Sequence, residues 1–144
     1  MRKYFCALLV VAMALQGAFA VESKGVSVDV LAKSTLSWDG SAMPEYPKGT
    51  PEVSVLKIVI PPHTTLPMHK HPLINAGILL EGELTVITEA KKTLHLKAGE
   101  ALIEVVNTWH YGINEGETPA VIVVFYAGVQ GQALSIAKEE PKAP

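Results

Sequence analysis

The sequence carries one cysteine, Cys6, so no disulfide can form within the chain. It is also poor in charge. Asp, Glu, Lys and Arg make up 18% of residues and the formal net charge is −2, which leaves no basic surface for a polyanion. Nucleic acid is therefore not an expected partner. A glycine-rich nucleotide loop is missing, and the stretch from Gly112 to Gly116 lacks that pattern. No segment sustains the period of an amphipathic helix, and there is no internal repeat.

One long apolar run is present. It extends from Tyr4 to Leu15, follows the basic pair Arg2 and Lys3, and gives way to Gln16-Gly17-Ala18-Phe19-Ala20. A basic start, an apolar stretch and a small-x-small ending are the marks of a secretory signal peptide, here residues 1–20. The run is shorter than the roughly 20 residues a spanning helix needs, so no stable membrane anchor is expected. Cleavage after Ala20 removes the cysteine, which suits the oxidising periplasm or a secreted protein.

The remainder reads as short strands between turns. Glu52–Ile60 alternates and stops at Pro61-Pro62, whose rings cannot donate to a ladder. Further strands are expected at Ala76–Leu80, Leu84–Thr88, Thr93–Lys97, Ala101–Val106, Trp109–Ile113 and Ala120–Tyr126, the last buried on both faces. Short strands at this spacing indicate an all-β sandwich or barrel. The expected organisation is an N-terminal strand and Pro-rich arm over 21–51, a barrel over 52–137 and a loose tail over 138–144.

Chemistry concentrates in histidines. His69-Lys70-His71 places two imidazoles at i and i+2, which face the same side of a strand. Pro72 favours extended backbone at His71. Two nitrogens on one face can chelate a metal if a third ligand arrives from elsewhere, and His110, between Trp109 and Tyr111, is the natural third. Trp109 and Tyr111 then point away from the metal, to an outer layer or a subunit interface. His95 shares a face with Thr93 and Lys97 and reads as a surface residue, while His63 sits in a proline-flanked turn.

The order His69-x-His71, Gly82, Gly99, His110, Asn114 resembles the two motifs of the cupin superfamily. Six of ten motif positions agree over a span from about Val53 to Tyr126. His63 stands where the first motif has Gly, and Asn75 where it has Glu. Val105 and Asn107 replace the Pro and Gly of the second motif. The resemblance implies a double-stranded β-helix, that is, a jelly-roll cupin barrel, of the small single-domain kind. It also implies metal ligands at His69, His71, His110 and Asn75. An amide is a weaker ligand than a carboxylate, so three imidazoles are expected to dominate. Iron, zinc, manganese, copper or nickel would each accept them.

Glu104 interrupts an apolar run, which is costly unless it is paired or solvated. It either supplies the carboxylate missing at position 75, as ligand or acid/base, or lies on an exposed face. The expected function is an exported metal-binding cupin with a small-molecule ligand in its barrel. The alternative is a metal-dependent cupin enzyme of oxygenase, isomerase or lyase type, with Glu104 as the candidate catalytic group. No organic cofactor is expected, and similar cupins suggest a homodimer. The export expectation is checked by N-terminal sequencing of the exported protein, which should begin Val21-Glu22-Ser23. A retained Met1 would refute it.

Overall fold

A computed structural model describes residues 25–139. The expected signal peptide and residues 140–144 of the tail lie outside the described residues. Among those described there are ten strands and no helix, and hence no helix long and apolar enough to cross a membrane.

The strands form two antiparallel sheets. In the first, β1 (Pro51–Ile60) pairs along its whole length with β9 (Ala120–Val129). β9 pairs on its other side with β4 (Ile74–Glu81), and β4 with β7 (Ala101–Ile103). The second sheet runs β10 (Ile136–Ala137), β3 (His69–Lys70), β8 (His110–Asn114), β5 (Glu83–Thr88), β6 (Thr93–Lys97), with β2 (Thr64–Thr65) also on β8. Chain neighbours therefore often lie in opposite sheets, as in the jelly roll the motifs imply.

Alternation decides what each strand buries. β1 turns Leu56, Ile58 and Ile60 inward and leaves Val53, Val55 and Val59 exposed. Inward Leu79 from β4 and Ile122, Val124 and Tyr126 from β9 meet Leu84, Val86 and Leu96 of the facing sheet. Each fully buried aliphatic side chain contributes about 1.5–3 kcal/mol relative to exposure. β9 departs from the expected burial on both faces. Val121 is buried, but Phe125, on the same outer face, is 47% exposed.

β7 is also shorter than the apolar run Ala101–Val106 suggests. The N–H of Glu104 still bonds the carbonyl of Asn75 at 3.0 Å. The next N–H, of Val105, donates instead to the Glu104 carboxylate at 2.8 Å. The chain then turns at Asn107, whose N–H donates to the carbonyl of His71 at 2.8 Å.

Two motif departures are explained by backbone conformation. His63 and Asn107, which replace glycines, adopt φ of +54° and +56°. Asn and His tolerate this left-handed region better than most residues. Gly82, which is kept, has φ of +75°, and a Cβ there would lie 2.5 Å from the carbonyl oxygen of Pro119. That contact excludes any side chain. Asn114, fully buried, holds the loop that follows it. Its amide donates to the carbonyls of Ile60, Pro61 and Thr118 at 2.8–3.1 Å, and its oxygen accepts from Gly116 N–H at 3.0 Å.

Candidate metal centre

The three histidines meet at the middle of the second sheet. His69 of β3 and His110 of β8 are direct cross-strand partners. His71 follows two residues after His69 on the same face. Ring centroids are 4.5 Å apart for His69–His110, 5.0 Å for His69–His71 and 5.1 Å for His71–His110. One ring nitrogen from each lies within 4.8 Å of the other two.

The other ring nitrogen is committed in every case. Nδ1 of His69 bonds the carbonyl of Pro67 at 2.7 Å, Nδ1 of His71 that of Leu134 at 2.7 Å, and Nδ1 of His110 that of Thr108 at 2.8 Å. A carbonyl can only accept, so each Nδ1 must carry the proton. In the neutral ring Nε2 is then a bare lone pair. Three such nitrogens lie within 4.8 Å of one another, which is unfavourable unless a cation or proton sits between them. The donor set therefore fits a divalent metal, with the backbone carbonyls orienting the ligands.

Protonation is opposed by burial. Desolvation lowers His71 and His110 from 6.5 to about 4, against the raising influence of their carbonyl partners. Both are neutral at pH 7, so the 3.7 Å approach of Glu104 Oε2 to His110 Nε2 is not an ion pair there. Instead the Glu104 carboxyl group faces an unprotonated nitrogen.

The chamber around the histidines has a volume of about 80 Å³. Its wall is mainly aliphatic, from Ile58, Leu66, Val86, Leu102 and Val124, with Asn75, Glu104 and Tyr126 as further polar groups. Asn75 is buried, and its amide donates a long 3.4 Å bond to the carbonyl of Leu73. Glu104 is only 7% exposed, which removes the exposed-face reading. Its Oε1 accepts from the Trp38 indole at 2.7 Å as well as from Val105 N–H. Burial raises its pKa, and the hydrogen bonds from Val105 and Trp38 oppose that.

The remaining candidates lie elsewhere. His95 is exposed on β6 and shares a hydrogen bond with Thr85 Oγ1 at 2.9 Å. His63 lies exposed beside Glu117 at 3.2 Å. Trp109 faces outward beneath the ammonium groups of Lys70 and Lys138, at 4.8 and 5.7 Å from its ring centroid. Three contributors were not foreseen from sequence. Tyr126 packs its ring 5.5 Å from His71, and its inward parity with Ile122 and Val124 would have marked it. Trp38 and the Leu134 carbonyl carry no local signal, because each arrives from a distant loop.

The histidine shifts set a pH dependence for the metal-free protein. A histidine held at about 4 in the fold and 6.5 when unfolded binds fewer protons folded. Its neutral form supports the fold above pH 6.5, and that support is lost as pH falls through 6.5 to 4. Urea midpoints in the presence of chelator should fall across this window. His110→Gln should make the fall shallower. An equal slope in the variant would show that His110 is not held neutral.

The family model described as Cupin domain matches residues 56–126. No curated protein matches the chain. Among solved structures, oxalate oxidase in complex with the substrate analogue glycolate is 28% identical with a TM-score of 0.51. The alignment covers 59% of this chain and 45% of that one, so the chain spans less than half of the oxidase. An uncharacterised conserved protein with a double-stranded β-helix domain from Klebsiella pneumoniae is 21% identical with a TM-score of 0.51, covering 67% of this chain and 90% of that one. A cupin-like protein from Thermotoga maritima is 17% identical with a TM-score of 0.50, covering 60% and 64%. The fold, the motif register and the matched family model agree: residues 56–126 of this chain form a cupin domain.

Proposed function

We propose that the protein is an exported metal-binding cupin whose three histidines hold one divalent ion and, beside it, a small oxygen-bearing ligand. The observation that carries this reading is the convergence of three bare Nε2 atoms whose Nδ1 protons are all engaged by backbone carbonyls. A bound divalent ion would supply Lewis acidity toward a ligand oxygen. The ligand class follows from space. About 80 Å³ is far below the roughly 300 Å³ at which pockets for drug-sized molecules begin. It suits a ligand of a few heavy atoms, and glycolate bound to the similar oxalate oxidase is of that size. Export is supported by the basic start, apolar run and Ala-Phe-Ala ending of the sequence.

The metal assignment is tested by equilibrium binding at neutral pH. One equivalent of divalent metal should bind, and His69→Ala, His71→Ala or His110→Ala should each abolish tight binding. Asn75→Ala should cost no more than the ~10–100-fold typical of groups that only orient ligands. Full-affinity binding by His110→Ala would refute the site. A second reading, a metal-dependent enzyme, is favoured by one observation: a carboxylate and a phenol, Glu104 and Tyr126, share the chamber with the histidines. Product formation from two-carbon acids by metal-loaded protein would select that reading, whereas saturable binding without turnover selects the first.

Self-association is proposed through the outer face of the first sheet. Val53, Val55 and Val59 of β1 and Phe125 of β9 lie there exposed, and Val55 is the cross-strand partner of Phe125. Contiguous apolar surface of this kind marks interaction sites. Sedimentation at micromolar concentration should show a dimer, and Val55→Lys should yield monomer. A monomeric unmodified protein would overturn the proposal.

A further inference from the structure

Glu104 stands apart from the motif positions, and so does the residue that holds it. Trp38 belongs to the segment preceding the barrel. Its backbone N–H donates to the carbonyl of Ile103 at the end of β7, at 2.9 Å, and its indole donates to Glu104 Oε1 at 2.7 Å. The turn carrying Trp38 is itself pinned. Ser37 N–H bonds the carbonyl of Ser41 at 2.8 Å, and the Asp39 carboxylate accepts from the backbone and hydroxyl of Ser41, both at 2.9 Å. Lys92 reaches across from the barrel to within 3.7 Å of Asp39 Oδ2. Among the described residues both hydrogen bonds to the Glu104 carboxylate end on Oε1. Oε2 is left 3.7 Å from Nε2 of His110, whose proton is on the opposite nitrogen.

An ionised carboxylate oxygen and a bare imidazole nitrogen are both acceptors, so this apposition is satisfied by a proton or a metal cation held between them. Among the described residues no Lys or Arg lines the chamber. The motif position for a carboxylate holds Asn75, a neutral amide, yet Asn75 and Glu104 are neighbours across β4 and β7, where Glu104 N–H bonds the Asn75 carbonyl. The carboxyl group has thus moved one strand over while staying in the same chamber. We propose that Glu104 is the anionic ligand of the metal centre, set in place by the Trp38 indole, so that the segment before the barrel is part of the site. This deepens the three-histidine reading and rests on it.

The test uses Co²⁺ as probe, with affinity from calorimetry and ligand geometry from the visible spectrum. Glu104→Gln keeps the shape and removes the charge. It should weaken Co²⁺ by more than the roughly 100-fold that marks the upper end for groups that only orient ligands, and alter the spectrum. Trp38→Phe keeps the carboxylate and loses only its hydrogen bond, and should weaken Co²⁺ by about 10-fold. Adding Asn75→Glu to Glu104→Gln should recover most of the lost affinity, because the carboxylate then enters the same chamber from β4. Circular dichroism checks folding, and if Glu104→Gln does not fold, Trp38→Phe decides alone. Binding by the unmodified protein, none by His110→Ala, and unchanged affinity and spectrum in Glu104→Gln or Trp38→Phe would overturn the role of Glu104 while leaving the histidine site standing. No binding by the unmodified protein would overturn both.

Discussion

Three hydrogen bonds from imidazole to backbone set the character of this protein. Each Nδ1–H is spent on a carbonyl, of Pro67, Leu134 or Thr108, and each spent proton bares the nitrogen on the far side of the ring. Tautomer, ring orientation and ligand direction follow from one contact per residue. Two of the carbonyls lie two residues before their histidine, so local strand geometry supplies them. The third comes from the loop before β10, and β10 in turn pairs with β3. The strand that closes the sheet edge and the loop that aims His71 are therefore a single device.

The barrel makes that arrangement matter. In an aliphatic chamber, neutral imidazoles are favoured over charged ones, so burial keeps the histidines ready to ligate. The same burial makes an uncompensated carboxylate costly. Glu104 and the histidines thus share one electrostatic need, a cation or proton placed between the carboxyl oxygen and the bare ring nitrogens. The fold brings them together by pairing β4 with β7 and β3 with β8 in facing sheets. Tyr126, whose pKa burial raises, stays protonated there at neutral pH.

The departures from the cupin pattern fall into two physical kinds. His63 and Asn107 stand in for glycine at left-handed positions, where a polar side chain is tolerated, so the turns survive. Gly82 has no such substitute because a Cβ would strike Pro119. Asn75 is different in kind, since it changes the charge of the site rather than the path of the chain. Its consequence is electrostatic, and it is felt at Glu104.

Much of this was readable from residue order. Alternation marked β1, β4, β5, β6, β8 and β9 to within a few residues, because a strand buried on one face must repeat every second residue. The i, i+2 spacing of His69 and His71 placed them on one face, and the motif register brought in His110. What alternation cannot express is an interaction between distant segments. The early end of β7, the exposure of Phe125, the Leu134 carbonyl on His71 and the indole of Trp38 on Glu104 all depend on which loop lands on which sheet. For Glu104, sequence allowed two opposite environments, solvent or chamber. Only the tertiary structure chose between them, because burial belongs to the packed sheets and not to any local run of residues.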